Sequence, residues 1–396
     1  MINEEYKKML GAKSVIRELS EYATKRGTEI GYDKVYDFSL GNPSVPCPDG
    51  YTEAVIDIHK NLNPMDIHGY SPSTTLPDVR EAVANSLNRR FGMNYDMKHI
   101  FMTSGAAGAL AHALRAVTKP GDKVLSFAPF FPEYRPYVSG CGDELVLVPA
   151  DTTNFQINLE AFEEMLDEKV MAVLINTPNN PSGVVYSEDT IKAMTDIMKR
   201  AQEKYGHDIF LISDEPYREI MFDGQTFTYP SKFYDNTLSC YSFSKSLSLP
   251  GERIGYVAVN PKATDADLLV PIMAQISRGI GHNCPSSSVQ MAVAKVLEDT
   301  SDLSVYETNM NLLYDELVNL GFNVVRPDGT FYIFPQALEE DAVAFCQKAK
   351  KYDLILVPSD SFGVKGYFRM AYCIDTDKVR RSLEALRRFV QAEYGI

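Results

Sequence analysis

YSFSKSLSLPGERIGY, residues 241–256, is the stretch on which the reading of the whole chain turns. One lysine, Lys245, is flanked by Ser242, Ser244 and Ser246, and Arg253 stands eight residues further on. A lysine amine forms imines with carbonyl compounds when its proton leaves easily, and burial and cationic neighbours promote that loss. Hydroxyls and a guanidinium fork beside such an amine suit a phosphate dianion. Taken alone, the same residues also describe a solvated serine-rich loop, so the flanking sequence has to decide.

Working outward, an apolar run, Leu238–Phe243, ends just before Lys245. A second, Ile209–Ser213, ends at Asp214, and a third, Met171–Asn176, ends in the turn cluster TPNNPSG that holds Asn180. Lys123–Ala128 reads as a further strand. Helical stretches lie between them: 105–118, with Ser104 as the expected N-cap, and 187–205. Apolar strands separated by helices predict an α/β fold with a mostly parallel sheet flanked by helices on both faces. Such sheets bind ligands beyond the carboxyl ends of their strands. Lys245, Asp214 and Asn180 all fall at that edge.

The C-terminal part reads differently. A helix (305–320) is followed by short strands near 323–325, 329–334, 354–357 and 367–371, and an amphipathic helix (375–392) closes the chain. This is a smaller α+β unit. The N-terminal segment is expected to pack against it, being too short for a core of its own. The expected division is a large domain, 48–297, and a small domain formed by 1–47 with 298–396. A length of 396 residues agrees with two domains.

The net charge of −14 argues against a nucleic-acid partner. The six cysteines are scattered, without a CxxC pair or a histidine at ligand spacing, so no metal site is expected. The N-terminus, MINEEYKKMLGAKS, lacks the apolar region of a secretory signal, and no apolar run approaches a membrane span. The expected location is the cytoplasm.

The remaining polar motifs each allow a plain structural reading and a chemical one. Thr103-Ser104-Gly105-Ala106-Ala107 is a capped helix start, or a helix N-terminus presenting free N–H groups to a phosphate. Ser213-Asp214-Glu215-Pro216-Tyr217 is a turn cap, or a carboxylate that meets a cation at a buried strand end. An Asp-Glu pair after a strand also occurs in nucleotide hydrolases, but the chain has no GxxxxGK[ST] sequence to grip a triphosphate. Tyr367-Phe368-Arg369-Met370-Ala371 sets one arginine in an apolar strand, either in a structural ion pair or opposite a substrate carboxylate.

Together with SLGNP (39–43), YSPSTTLPDVREAVA (70–84), NTPNNPSG (176–183) and GTFYIFP (329–335), these motifs resemble the class I/II pyridoxal-phosphate (PLP)-dependent aminotransferases of fold type I, the aspartate aminotransferase-like group. The resemblance runs over roughly residues 15–390, and its specificity lies in the order and spacing of the motifs. It implies a homodimeric transaminase with PLP as cofactor. Such an enzyme moves an amino group from an L-amino acid to a 2-oxo acid by a ping-pong mechanism. The resemblance makes Lys245 the Schiff-base lysine and proton carrier, and Asp214 the partner of the pyridine nitrogen. Asn180 and Tyr217 become donors to the ring oxygen. Ser104, Gly105, Ala106, Ser242 and Arg253 become the phosphate cup, and Phe131 the ring stacked on the cofactor. Arg369 and Gly41 would receive the substrate α-carboxylate, and Tyr70 would reach the neighbouring subunit's phosphate.

Three positions depart from the family pattern. Phe131 replaces a tryptophan, Ala106 replaces a hydroxyl residue, and Thr75 stands where glycine is common. The segment SRGIGHNCP (277–285) places Arg278 where aspartate aminotransferases carry an arginine for the substrate's side-chain carboxylate. That would favour aspartate or glutamate and, like Tyr70, would act in the neighbouring subunit's site; the other reading is an exposed arginine ending a helix. A β-lyase on the same scaffold is the alternative activity, since fold does not set reaction type. A non-catalytic PLP-binding regulator would need an added DNA-binding module, and the chain has no segment to spare for one.

Overall fold

Among continuous apolar segments buried on both faces, backbone pairing leaves a parallel sheet as the economical solution. The computed structural model describes residues 14–396 and, ahead of them, residues 2, 4, 7 and 10. In chain order the strands are β1 (Tyr36–Asp37), β2 (Ile100–Thr103), β3 (Lys123–Phe127), β4 (Glu144–Val148), β5 (Val170–Asn176) and β6 (Phe210–Asp214). They continue with β7 (Thr237–Ser242), β8 (Gly255–Val259), β9 (Tyr332–Ile333), β10 (Leu354–Ile355), β11 (Val357–Pro358) and β12 (Phe368–Ala371). Seven of them form one sheet in the order β2-β8-β7-β6-β5-β3-β4.

Pairing is parallel from β7 through β6, β5 and β3 to β4. Strand β8 runs antiparallel to both β7 and β2, so β2 points the same way as β7. The fold is therefore α/β of fold type I with a mostly parallel sheet, as the apolar runs imply. The carboxyl ends of β2, β3, β5, β6 and β7 share one edge with the start of β8. Strands β2, β4 and β8 are not assigned in the sequence reading, which follows apolar runs bounded by turn residues.

Alternation explains why the central strands read as unbroken apolar runs. On β5 and β6, Val173 and Leu211 pack with Met194 and Met198 of the helix Glu188–Tyr205. Their neighbours Leu174 and Ile212 pack on the other face with Leu110 and Leu114 of the helix Gly105–Val117 and Met273 of the helix Ala266–Gly279. Both faces are covered, so neither face needs polar residues.

The C-terminal part builds a separate three-stranded sheet, β11-β12-β9, against the helices Ser304–Asn319 and Thr376–Tyr394. The N-terminal segment joins it: β1 pairs in parallel with β10, and Phe38 is packed in the same core as Phe331, Leu354 and Phe389. The strand expected near 323–325 does not form. Asn323 exchanges a backbone bond with Gln336 and a side-chain bond with the same residue, and no ladder extends from it. No helix among the described residues is long and apolar enough to cross a membrane.

The sheet edge is tightly fitted where β8 starts. A Cβ on Gly255 would lie 2.2 Å from the carbonyl oxygen of Tyr241 and 3.0 Å from the carbonyl carbon of Gly105, all backbone atoms that cannot swing aside. Gly255→Ala is expected to lower stability by roughly 2 kcal/mol or more, the scale of overpacking in a filled interior. Denaturant unfolding checks this, and an unchanged midpoint would refute it.

Candidate active site

Each strand end delivers one polar group to the shared edge. Strand β7 runs into a single helical turn, Phe243–Ser246, that carries Lys245; the Ser242 hydroxyl caps the turn by accepting from the Ser244 N–H. Strand β6 ends in Asp214 and β5 in Asn176, with Asn180 in the turn beyond. Strand β2 leads through Ser104 to the N-terminus of the helix Gly105–Val117. Arg253 precedes β8 at the same edge.

These groups line one cavity of about 280 Å³. Its walls include Gly41, Ala106, Phe131, Asn180, Asp214, Tyr217, Ser242, Lys245, Arg253 and Arg369. Ten of the residues singled out in the sequence therefore meet in one place. Ser104 and Gly105 are not in the lining themselves but immediately precede Ala106, which is. Tyr70 and Arg278 do not reach it: Tyr70 is fully exposed, and Arg278 is exposed and donates to Gln275 within its own helix.

Lys245 donates to the backbone oxygen of Gly41 at 2.8 Å. Its pKa is lowered to about 8, chiefly by desolvation; Cys373 opposes the shift, and Arg253 and Arg369 add to it. Asp214 is buried. Its Oδ2 accepts from the Tyr134 hydroxyl at 2.6 Å, and its Oδ1 has no hydrogen-bond partner. Burial pushes its pKa up to about 7, offset in part by the Tyr134 bond. The adjacent Glu215 does not share the cavity; it pairs with buried Arg218, which also binds Glu219 and the Tyr256 hydroxyl. The Asp-Glu ambiguity in the sequence resolves into one carboxyl for the cavity and one for an internal ion pair.

Arg369 is fully buried. It donates to Asn180 Oδ1 at 3.0 Å and to the backbone oxygen of Ser39 at 2.6 Å, while its Nε has no partner. The structural ion pair that the sequence allows is absent: no carboxylate lies within bridging distance among the described residues. With Asn180 Oδ1 engaged, the amide's N–H groups are left for the cavity. Ser104 stands at the N-cap, but its side chain makes no capping bond, a correction to the sequence expectation. Instead the Thr103 hydroxyl donates to Gly105 O. Gly105 has a φ of 70°, and a Cβ there would lie 2.8 Å from an Arg253 nitrogen, so the guanidinium rests on the open helix start.

The matched family is described as aminotransferase class I and II, and the match covers residues 33–386. The chain belongs to this family. It is a PLP-dependent transaminase of fold type I. A solved aminotransferase from Eubacterium rectale is 41% identical, with a TM-score of 0.97 over 100% of this chain and 99% of that one. The aspartate aminotransferase of Thermotoga maritima superposes with a TM-score of 0.85 at 27% identity over 96% of this chain and 97% of that one. A probable N-acetyl-LL-diaminopimelate aminotransferase of Bacillus subtilis is 28% identical over 91% of this chain and 90% of its own length.

Several residues of this aminotransferase's site escape the sequence reading. Tyr137, which follows Phe131 in APFFPEYRPY, lines the cavity together with Ile16, Leu40 and Tyr332 from distant segments, and Tyr134 stands behind it, bonded to Asp214. Tyr134 lies three residues after Phe131, but nothing in the sequence separates a tyrosine that holds a carboxyl from one that fills a core.

The lowered amine of Lys245 has a measurable consequence. In the cofactor-free protein, borohydride trapping of pyridoxal on Lys245 should rise with a midpoint near pH 8, against about 10.4 for ordinary lysines. A midpoint above 10 would contradict a desolvated amine.

Proposed function

We propose that the cavity is the transamination site of a homodimer and that its preferred donors are acidic amino acids. The observation that carries the reading is the pairing of an unpartnered, buried Asp214 Oδ1 with a low-pKa Lys245 across one cavity. The residues present fit PLP. Asp214 would hold the pyridine nitrogen, whose positive charge supplies what its burial lacks and keeps the carboxyl ionised. Arg253, Ser242 and the N–H groups of Gly105 and Ala106 would hold the phosphate, and Phe131 would cover one ring face. Asn180 and Tyr217 would donate to the ring oxygen. When bound, PLP links covalently to the amine and takes up the electron pair left at the substrate α-carbon.

The chain's own residues do the rest. Arg369 receives the substrate α-carboxylate, since its buried charge meets only neutral groups in the protein and Gly41 lines the same cavity. That contact fixes the α-carbon before Lys245. Lys245, neutral near pH 8, accepts the α-proton at Nζ and delivers it back at the neighbouring carbon. A second 2-oxo acid then reverses the steps, which gives ping-pong kinetics. Lys245→Ala is expected to cut turnover on the order of 10³-fold or more. The absorption spectrum of the PLP-loaded protein tests the reading directly. A visible band that is lost on adding L-aspartate or L-glutamate supports it, and no band after incubation with PLP sinks it.

The dimer and the acidic donor rest on a second set of residues. Ser71 and Ser287 hydroxyls lie 2.9 Å apart, which brings the Tyr70 segment beside the end of the loop that follows Arg278. Exposed Leu62, Met65 and Ile280 supply apolar area for a subunit contact. Tyr70 of the partner subunit would complete the phosphate grip, and Arg278 of the partner subunit would meet the side-chain carboxylate of the donor. Arg278→Ala is then expected to reduce the aspartate-over-alanine preference about ten- to hundred-fold. An unchanged preference removes the acidic-donor reading and leaves the transaminase intact. The six cysteines are all unpaired, which supports a cytoplasmic location.

A further inference from the structure

Tyr332 lines the cavity and has no role in the scheme above. Its ring is 3% exposed, and its hydroxyl lies 3.2 Å from the Tyr217 hydroxyl. The Arg369 guanidinium stacks over the same ring at 4.5 Å. From the other side, a Cβ on Gly41 would lie 1.9 Å from the Tyr332 oxygen, so that oxygen is seated directly on the Gly41 Cα. One phenol is therefore held by the N-terminal segment, by Arg369 and by Tyr217 at once.

A phenol carries one proton, so in a pair of phenols one donates and the other accepts. If Tyr217 gives its proton to the cofactor's ring oxygen, it has none for Tyr332. Tyr217 is the hydrogen-bond partner of the Tyr332 hydroxyl among the described residues. We propose that Tyr332 is a positioning residue for amino transfer: it donates to Tyr217 Oη and leaves the single Tyr217 proton aimed into the cavity. Donation also polarises Tyr217 and strengthens its own outgoing bond. Burial keeps both phenols protonated, Arg369 pulling against that trend in each. The proposal rests on the role given to Tyr217 above.

The readout is the pH midpoint of the visible band of the lysine-bound cofactor, measured on the PLP-loaded protein. A hydrogen bond to the ring oxygen favours its anion and so favours the deprotonated linkage. Weakening that bond makes the linkage hold its proton to higher pH. The charged and titratable groups facing Lys245 are Cys373, Arg253, Arg369 and Tyr217, whose ring centre lies 5.9 Å from Nζ, and those facing Tyr332 are Arg369, Cys373 and Tyr217. Removing the Tyr332 hydroxyl leaves every other member in place.

Tyr332→Phe should raise the midpoint by up to about one pH unit, the equivalent of one ordinary hydrogen bond. Tyr217→Phe should raise it more, and adding Tyr332→Phe to Tyr217→Phe should change nothing further. Gly41→Ala, which displaces the Tyr332 oxygen from outside, should reproduce the Tyr332→Phe shift. An unmoved midpoint in Tyr332→Phe, or an equal shift when Tyr217 is already Phe, overturns the proposal while leaving the transaminase reading untouched. A wild-type protein with no visible band would instead overturn the cofactor reading, and this inference with it.

Discussion

A single buried guanidinium joins the three pieces of this chain. Arg369 comes from β12 of the C-terminal sheet, donates to Asn180 beyond the end of β5, and donates to Ser39 in the N-terminal segment. Its ring contact, Tyr332, comes from β9. Burying an ion without a counter-ion costs several kcal/mol, and neutral acceptors recover only part of that. The arrangement is sustained by the folding of the surrounding elements, and it holds an electrostatic demand that an anion entering the cavity would meet. Asn180 is fixed in turn: its backbone N–H donates to Asn176 Oδ1, and the Asn176 side-chain amide donates to the backbone oxygen of Asp214. The substrate-facing arginine and the sheet-edge carboxyl are thus linked through two asparagines.

The cavity's electrostatics follow from the same economy. Lys245, Arg253 and Arg369 converge from three elements, and Asp214 is the carboxyl that faces them. Burial and, after it, the two guanidiniums depress the amine, and the three cationic groups together call for negative charge. On the proposed reading a phosphate and a carboxylate would supply it at two separate ends, one over Gly105 and one beside Gly41. Asp214 lies where neither anion would compete with it, and its burial is tolerable only with a positive partner at Oδ1. Each group is poorly satisfied by the protein alone and well satisfied by a bound, doubly anionic ring with one cationic nitrogen.

How much of this is legible beforehand depends on the kind of signal. Lys245, Asp214 and Asn180 stand out because each follows an apolar run, and parallel strands bring such positions to one edge whatever the details of packing. The antiparallel β8 has no such signature: Gly255–Val259 is preceded by Arg253 rather than by a helix, and its direction is set by pairing with β7 on one side and, on the other, with β2, more than 150 residues earlier. Ser104 has the residue type of a cap without the bond, because Thr103 and the positive φ of Gly105 reshape the turn. Tyr134 and Tyr332 are invisible for another reason. Tyrosine in an apolar context is ordinary core, and only the third dimension shows that one phenol meets Asp214 and the other meets Tyr217.

The residues proposed to hold the cofactor at the sheet edge and those proposed to act in the neighbouring subunit's site differ in how they are anchored. The first group sits on strand ends locked by backbone pairing, and one of them, Lys245, is on a turn capped by Ser242. Tyr70 and Arg278 sit on exposed segments tied to each other's neighbourhood by the Ser71–Ser287 contact. On the role proposed for Arg278, a change there would therefore alter which side chain is accepted without disturbing the sheet edge. The reverse does not hold, because Gly255, Gly105 and Arg253 are packed backbone to backbone or guanidinium to Cα, and any side chain added there moves the edge itself. Divergent substrate preference on a constant reaction is what that division of rigidity permits.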